Sequence, residues 1–160
     1  MESPSGNPYS QLKPKRKLPR QGQQLPPLPY VASTIEGRSA GEVFRETGTA
    51  MVEELQELRR TLHRHPEIGL ELPRTQKAVL NALEGLPLEI TLGQDLSSVT
   101  AVMRGGKRGE RPVSVLLRAD MDALAVKERT GSPFASTNDY MHACGHDLHT
   151  AALVGAAHIL

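Results

Sequence analysis

The segment VSVLLRADMD occupies residues 113–122 and predicts a buried strand followed by an acidic loop. Its first half, Val113 to Leu117, is almost continuously apolar, which is typical of a central strand covered on both faces. In open α/β sheets, ligand sites form beyond the carboxyl ends of such strands. Asp120 and Asp122 are therefore candidates for binding a metal or a substrate. The alternative is that they are loop acids that pair with Arg118 or cap a helix.

The densest group of chemically reactive side chains is the segment HACGHD at residues 142–147. Gly145 permits a tight turn that can aim Cys144 and His146 at one point. A thiolate beside an imidazole suits zinc or another divalent first-row ion. The segment therefore predicts Cys144 and His146 as metal ligands. The alternative is a buried structural cysteine whose polar neighbours cap a helix.

Two ligands do not complete a zinc site, which takes three or four ligands from the protein. Side chains that can add a ligand or support the site from a distance are Asp120, Asp122, His142, Asp147 and His149. The remaining histidines, predicted to lie on a solvated helix face or to pack beside one, are His63, His65 and His158.

The first half of the folded region has helical periodicity. Apolar residues recur at three- and four-residue steps from Met51 to Leu62, which predicts a helix that Thr47 or Thr49 caps and that ends at Pro66. A second helix is predicted from Pro73 to Glu84, with Gly85 beyond its end.

The second half contains short β-prone runs and one more helix. The β-prone runs cover residues 88–92, 98–103 and 113–117, and the charged stretch 107–111 is predicted to connect the last two. The last helix, Asp147 to Leu160, is apolar almost all round, which indicates a buried helix. This order of elements predicts an α/β domain.

Composition excludes several classes of protein. The chain has 160 residues, 19 basic and 18 acidic, so its net charge of +1 gives no general attraction to nucleic acid or to an anionic membrane. Five aromatic residues argue against base-stacking modules, and one cysteine excludes an internal disulfide. No apolar run approaches the ~20 residues that span a bilayer. We therefore expect a cytoplasmic protein without nucleic-acid or membrane partners.

Residues 1–40 are predicted to form a disordered, Pro-rich basic arm, and residues 41–160 the folded domain. Seven of the twelve prolines lie in the first 29 residues, and few apolar residues are available there to offset the entropy of ordering. More specific interpretations of the arm are a proline-rich ligand at 26–29, a basic targeting signal or nucleic-acid-binding patch at 13–17 and a protease-cleavage linker at 35–38.

Three segments resemble one known family. LHRHPEIG at residues 62–69, RADMDAL at 118–124 and MHACGHDLHT at 141–150 are similar to signatures of the aminoacylase and hippurate-hydrolase branch of the zinc metallopeptidases. The resemblance spans roughly residues 43–160. Two positions depart from the family pattern, because Ala125 replaces a proline and Leu148 replaces a glycine.

The resemblance implies a metal-dependent amidohydrolase that cleaves N-acyl amino acids with a metal-activated water. It implies that Cys144 and His146 are metal ligands and that Asp122 supports the metal site and orients its histidine partner. It implies two divalent ions per subunit (zinc, manganese or cobalt), a homodimer, and a three-layer mixed-sheet domain with helices on both faces. The general base, the remaining ligands and the lid domain are then expected outside this chain. The alternative is an inactive truncated metal-binding domain or a partner-binding remnant.

Overall fold

The computed structural model describes residues 37–105 and 114–160, which form four helices and one small sheet. The elements in chain order are α1 (Ala40–Ala50), α2 (Val52–Arg64), α3 (Pro73–Ala82), β1 (Leu88–Leu92), β2 (Val99–Met103) and α4 (His146–Ile159). The predicted mixed α/β class is confirmed. The three interpretations of the arm fall wholly or largely on residues 1–36 and the charged connection on 106–113, outside the described residues.

The first helical region consists of two helices rather than one. Ser39 caps α1 in a capping box: its hydroxyl accepts the Glu42 N–H at 3.3 Å, and the Glu42 carboxylate accepts the Ser39 N–H at 2.9 Å. The predicted cap at Thr47 or Thr49 is therefore wrong, because both residues lie inside α1. The buried Met51 separates the two helices, and α2 then follows the predicted apolar periodicity.

Helix α3 begins at Pro73, as predicted, and a distant side chain caps it. The carboxylate of Glu67 accepts the N–H of Thr75 at 2.8 Å and that of Arg74 at 3.2 Å. The first N–H groups of a helix have no partner within the helix, and a carboxylate there also suits the positive end of the helix dipole. Glu67 therefore links the segment LHRHPEIG to the start of α3.

The core lies between α2, α3 and α4. Its buried apolar side chains, which come from the three helices and the C-cap of α3, are Leu58, Leu62, Val79, Leu83, Ala151 and Val154. Helices α2 and α4 approach closely because Gly155 has no side chain: a Cβ at this position would lie 2.7 Å from Leu55 Cδ1. This packing holds α4 against α2.

The sheet is an antiparallel pair in which Leu88 faces Met103 and Leu92 faces Val99. These two strands confirm the β-prone runs at 88–92 and 98–103. Leu88 and Val99 lie on one face of the pair and pack against the helical core, whereas Val102 on the opposite face is exposed. One side of the pair is therefore anchored to the helices.

The third predicted strand is not present among the described residues. Residues 114–117 form no strand, and Val115 and Leu116 are 81% and 88% exposed. The prediction of a central strand covered on both faces is therefore wrong for this structure. A strand needs neighbouring strands for its backbone groups and other elements to cover its side chains. The described residues supply neither to this segment.

The final helix matches its predicted limits within one residue, but it is not buried all round. Its packed face includes three polar residues, Asp147, Thr150 and His158, whereas Leu148 is 57% exposed. The branched side chain of Leu148 therefore points away from the packing beside the predicted ligands. None of the helices in the described residues is long and apolar enough to cross a membrane.

Candidate functional site

The segment HACGHD forms a tight turn that leads directly into α4. Gly145 adopts a φ of +79°, in the left-handed region that favours glycine, and its N–H donates to the His142 carbonyl at 3.1 Å. The Gly145 carbonyl in turn accepts the N–H groups of Leu148 and His149 at 3.0 and 3.1 Å. His146 is the first residue of α4, so its position depends on both the turn and the helix.

The ring of His146 is oriented by the acidic loop. Its Nδ1 lies 2.9 Å from the backbone carbonyl oxygen of Asp122 and 3.1 Å from Asp122 Oδ1. Both oxygens accept hydrogen bonds, so these contacts require a proton on Nδ1, and in the neutral imidazole the lone pair is then on Nε2. An imidazole held by a carboxylate through one nitrogen and free at the other is the usual arrangement of a metal-binding histidine.

Cys144 is a free, exposed thiol two residues before His146. Thiolate and imidazole together form a donor set that suits zinc and other divalent first-row ions. Within residues 37–105 and 114–160, no three His, Cys, Asp or Glu side chains form a group that could hold an ion. The donor set of Cys144 and His146 therefore fits part of a metal site.

The two aspartates of the acidic loop have different surroundings. The carboxylate of Asp120 forms an exposed ion pair with Arg118, which matches the alternative interpretation of this residue. The Asp120 carbonyl accepts the Thr150 hydroxyl of α4 at 3.0 Å, and the Ala123 N–H donates to the Glu67 carbonyl at 2.7 Å. Hydrogen bonds thus join the acidic loop to both other motifs.

Behind the turn lies a buried ion-pair network centred on Asp147, which is 0% exposed. Asp147 Oδ2 accepts the Nε–H of Arg59 at 2.7 Å and lies 2.8 Å from Nδ1 of His63, which is 5% exposed. Arg59 and His63 are four residues apart on α2 and therefore share one face of that helix. Arg59 and His63 therefore connect α2 directly with Asp147 in the first turn of α4.

The network continues to the loop between the acidic motif and HACGHD. His63 Nε2 lies 3.3 Å from Glu128 Oε1, while Glu128 also accepts the Ser136 N–H at 2.6 Å and the Thr130 hydroxyl. Burial alone raises the pKa of Glu128. The hydrogen bonds from Thr130, Ser136 and His63 outweigh that effect and hold the pKa below its usual value.

Two arginines of α2 pack against the same aromatic ring. The guanidinium carbons of Arg59 and Arg60 lie 5.0 and 5.6 Å from the centre of the Phe134 ring, within the range of cation–π attraction. Only Arg59 also bonds Asp147. The neighbouring arginines therefore have similar aromatic contacts and different ionic ones.

The remaining histidines are in distinct environments. His142 is buried, and neither ring nitrogen has a hydrogen-bond partner among the described residues. Burial lowers its pKa more than the nearby Asp147 raises it. His149 is exposed, with its ring centre 6.1 Å from that of His146. His158 is buried and its Nε2 lies 2.8 Å from the Ala82 carbonyl, so it packs beside a helix.

His65 is partly buried, and its pKa is lowered by burial and by Arg74 and Arg64. His63, in contrast, lies inside the ion-pair network, so a solvated position for it is wrong. Sequence reasoning missed the roles of Arg59 and Glu128. The four-residue spacing of Arg59 and His63 was a signal for a shared helix face, whereas nothing in the local sequence singles out Glu128.

Comparison with known proteins identifies the same region. Residues 116–160 match the model of peptidase family M20/M25/M40. The chain is 42% identical over 100 residues to N-acetyldiaminopimelate deacetylase of Halalkalibacterium halodurans, an alignment covering 62% of this chain and 26% of the relative. It is also 42% identical over 106 residues to thermostable carboxypeptidase 1 of Saccharolobus solfataricus, covering 65% of this chain and 26% of the relative.

A solved structure shares both fold and sequence with the chain. It is a dinuclear metal binding peptidase of the M20 family from Bacillus subtilis, which superposes with a TM-score of 0.61 at 40% identity. The superposition covers 72% of this chain and 31% of that structure. The chain therefore spans about a quarter of the length of the curated relatives above. The resemblance expected from the three motifs is confirmed.

Proposed function

Residues 116–160 belong to peptidase family M20/M25/M40, and on that premise we propose that this chain carries part of the active site of a metal-dependent amidohydrolase. The reaction is hydrolysis of the amide bond of an N-acyl amino acid or a small peptide. The observation that carries the proposal is the contact of Asp122 with His146 Nδ1, which leaves Nε2 available to an ion, two residues along the chain from the exposed thiol of Cys144.

Each residue has a separate task in this proposal. Cys144 and His146 hold a divalent ion, and Asp122 supports them by fixing the ring of His146. A bound divalent ion polarises the amide carbonyl and makes water a stronger nucleophile. The thiolate and imidazole donors suit zinc, while manganese and cobalt are the other candidates. His142, Asp147 and His149 are proposed to act around the ligands, and Asp120 at the edge of the site.

The names of the relatives indicate the substrate class. One relative is a deacetylase of an N-acetylated amino acid and another is a carboxypeptidase. We therefore propose a small N-acyl amino acid or peptide as substrate for the whole protein, two divalent ions per subunit, a homodimeric assembly and a cytoplasmic location. Nucleic acid and membranes are not proposed as partners.

Cobalt binding tests the proposed ligands directly. The purified chain is titrated with Co²⁺, and the absorption of the cobalt–thiolate bond is followed. We expect the band to appear in the unmodified chain, to vanish in Cys144→Ser and to require more cobalt in His146→Ala. Asp139→Ala serves as the control, because this exposed carboxylate pairs with the exposed Lys127 and has no role in the proposed site. A Cys144→Ser chain that keeps the band contradicts the ligand assignment.

Activity measurements test how much of the site the chain carries. We expect no measurable hydrolysis of N-acetyl or N-benzoyl amino acids by the 160-residue chain with added Zn²⁺ or Mn²⁺. The reason is that only two of the three or four ligands of a zinc site are assigned here. Metal-dependent turnover by the purified chain would show that its described residues contain a complete site.

A further inference from the structure

The ion-pair network of Arg59, His63, Asp147 and Glu128 contacts neither Cys144 nor His146 through a described hydrogen bond. We propose that Asp147 and Arg59 are positioning residues for the metal ligands, an inference that rests on the proposed function. Asp147 directly follows His146 in the first turn of α4, and its carboxylate is fastened to α2. The network therefore sets the rotation of that turn, and with it the direction in which His146 Nε2 and Cys144 point.

The first step of the argument is the number of points at which the turn is held. Asp122 holds His146 from the acidic loop, while Arg59 and His63 hold Asp147 from α2. Adjacent residues near the start of a helix point in different directions, about 100° apart, so the two anchors act on different sides of it. The turn can then rotate only if one anchor breaks.

The second step is the small amount of side-chain packing at the turn itself. Gly145 contributes no side chain, and a Cβ built there would meet no atom within 4 Å. Cys144 is exposed, whereas His142 before the turn is buried and Thr150 after it bonds the acidic loop. Between these flanking contacts, the orientation of the first residues of α4 depends on the polar contacts of Asp122 and Asp147.

The third step is the strength of the Asp147 anchor. Its carboxylate is fully buried, and the contacts of Oδ2 at 2.7 and 2.8 Å have the lengths of charge-assisted hydrogen bonds. Screening by solvent is weak at such a site. An isolated carboxylate would be costly to bury there. The pairing of Asp147 with Arg59 and His63 offsets this cost, and it fixes the residue that directly follows His146.

The fourth step separates the network from general stability. The C-terminal half of α4 is already packed on α2 through Gly155 and Leu55, and the apolar core lies along the same interface. The helix pair therefore has an attachment that does not involve Asp147. Weakening the network is expected to change the first turn of α4 more than the packing of its middle.

The chain offers a matched pair of variants for the test. Arg59→Met removes the donor to Asp147 and keeps an unbranched stem on Phe134, whereas Arg60→Met removes a guanidinium that contacts the same ring without reaching Asp147. A second pair is Asp147→Asn and Asp139→Asn, since Asp139 is exposed and pairs with the exposed Lys127. Circular dichroism establishes that each variant is folded.

The affinity of the whole chain for Co²⁺ is measured from the cobalt–thiolate absorption. Loss of an outer partner of a metal site weakens binding by about 10–100-fold, so we expect about a tenfold loss in Arg59→Met and in Asp147→Asn. The two control variants are expected to bind within about twofold of the unmodified chain, because neither removes such a partner. Arg59→Lys, which keeps a charged donor, is expected to recover part of the lost affinity.

Amide hydrogen exchange of the metal-free chain provides a second measurement. In Arg59→Met, we expect faster exchange of the Leu148 and His149 amides, which bond the Gly145 carbonyl, without a change at the β1–β2 pairing. If Arg59 had a purely structural role, amide exchange would become faster both at the start of α4 and in the β1–β2 pair.

The outcomes distinguish this inference from the proposed function. Failure of the unmodified chain to bind Co²⁺ through its thiol overturns the proposed function and, with it, the metal-positioning role. Normal binding by the unmodified chain, with equal affinities for each variant and its matched control, overturns only the positioning role of Asp147 and Arg59.

Discussion

Replacing Asp147 by alanine tests how much the buried network contributes to stability. The substitution removes the acceptor of two hydrogen bonds, from Arg59 at 2.7 Å and from His63 at 2.8 Å. The side chain of Arg59 is 32% exposed, so it can turn towards water after the change. His63 is buried and keeps only the longer contact to Glu128, at 3.3 Å. The main loss therefore falls on His63 and on the α2–α4 interface.

The expected change in the free energy of unfolding is the difference between the hydrogen bonds lost and the unpartnered oxygen removed. A hydrogen bond to a charged group contributes about 1.5–3 kcal/mol, so two bonds account for roughly 5 kcal/mol. Asp147 Oδ1 is buried without a partner, and its removal returns about 2 kcal/mol. The free energy of unfolding should fall by about 3 kcal/mol, at the lower end of the range for breaking a buried ion pair. For a domain of about 100 residues this lowers the Tm by about 12–24 °C.

Thermal unfolding of the purified chain, followed by circular dichroism, provides the measurement. Asp139→Ala is the control, because the ion pair of Asp139 with Lys127 is exposed and worth less than about 1 kcal/mol. Urea unfolding at 25 °C checks the free energy independently of the Tm. Equal losses of stability in Asp147→Ala and Asp139→Ala would refute the claim that the network holds α2 and α4 together.

Three further predictions concern single residues. Gly145→Ala should lower the free energy of unfolding by about 1 kcal/mol, because the φ of Gly145 is +79°. Gly105→Ala is the control and should leave this free energy unchanged, because Gly105 has no positive φ and no neighbour within 4 Å. Urea unfolding measures both variants. Because the pKa of Glu128 is lowered in the folded chain, the unfolded chain binds more protons near pH 4. The free energy of unfolding should therefore fall as the pH drops below about 5. Urea unfolding at several pH values should show a weaker decline in Glu128→Gln. Glu67→Ala should destabilise the chain by about 1 kcal/mol through loss of the α3 cap, while the exposed Glu71→Ala serves as control; an equal effect of both on the urea midpoint would argue against the cap.

Several elements were predictable because their signals are local. The helix from Pro73, the strand Leu88–Leu92 and the helix starting at residue 146 follow from periodicity, proline and glycine over a few neighbouring positions. The three motifs were equally visible, and the family model matches the segment that contains the second and third of them. Helix α1 was missed because the apolar repeat that predicts the helix begins only at Met51, after α1 has ended.

The candidate site was predictable in its parts. Cys144 and His146 were selected as donors from residue type and spacing, and they stay predictions as metal ligands. The family resemblance implied that Asp122 orients a histidine without saying which one, and the structure places Asp122 against His146, 24 residues away. Composition and spacing alone could not have paired these two residues, because a contact at that separation depends on how the acidic loop lies against α4.

The sequence by itself determined the short-range features of this protein: the helical stripes, the two paired strands, the glycine turn and the motifs that identify its family. Only the tertiary structure decided that Val115 and Leu116 are exposed and that His63 is buried between Asp147 and Glu128. The physical reason is that burial and ion pairing depend on partners 65 to 84 residues away. Hydrophobic periodicity indicates which side of an element turns inward, whereas the residue it meets there is set by the packing of the whole domain.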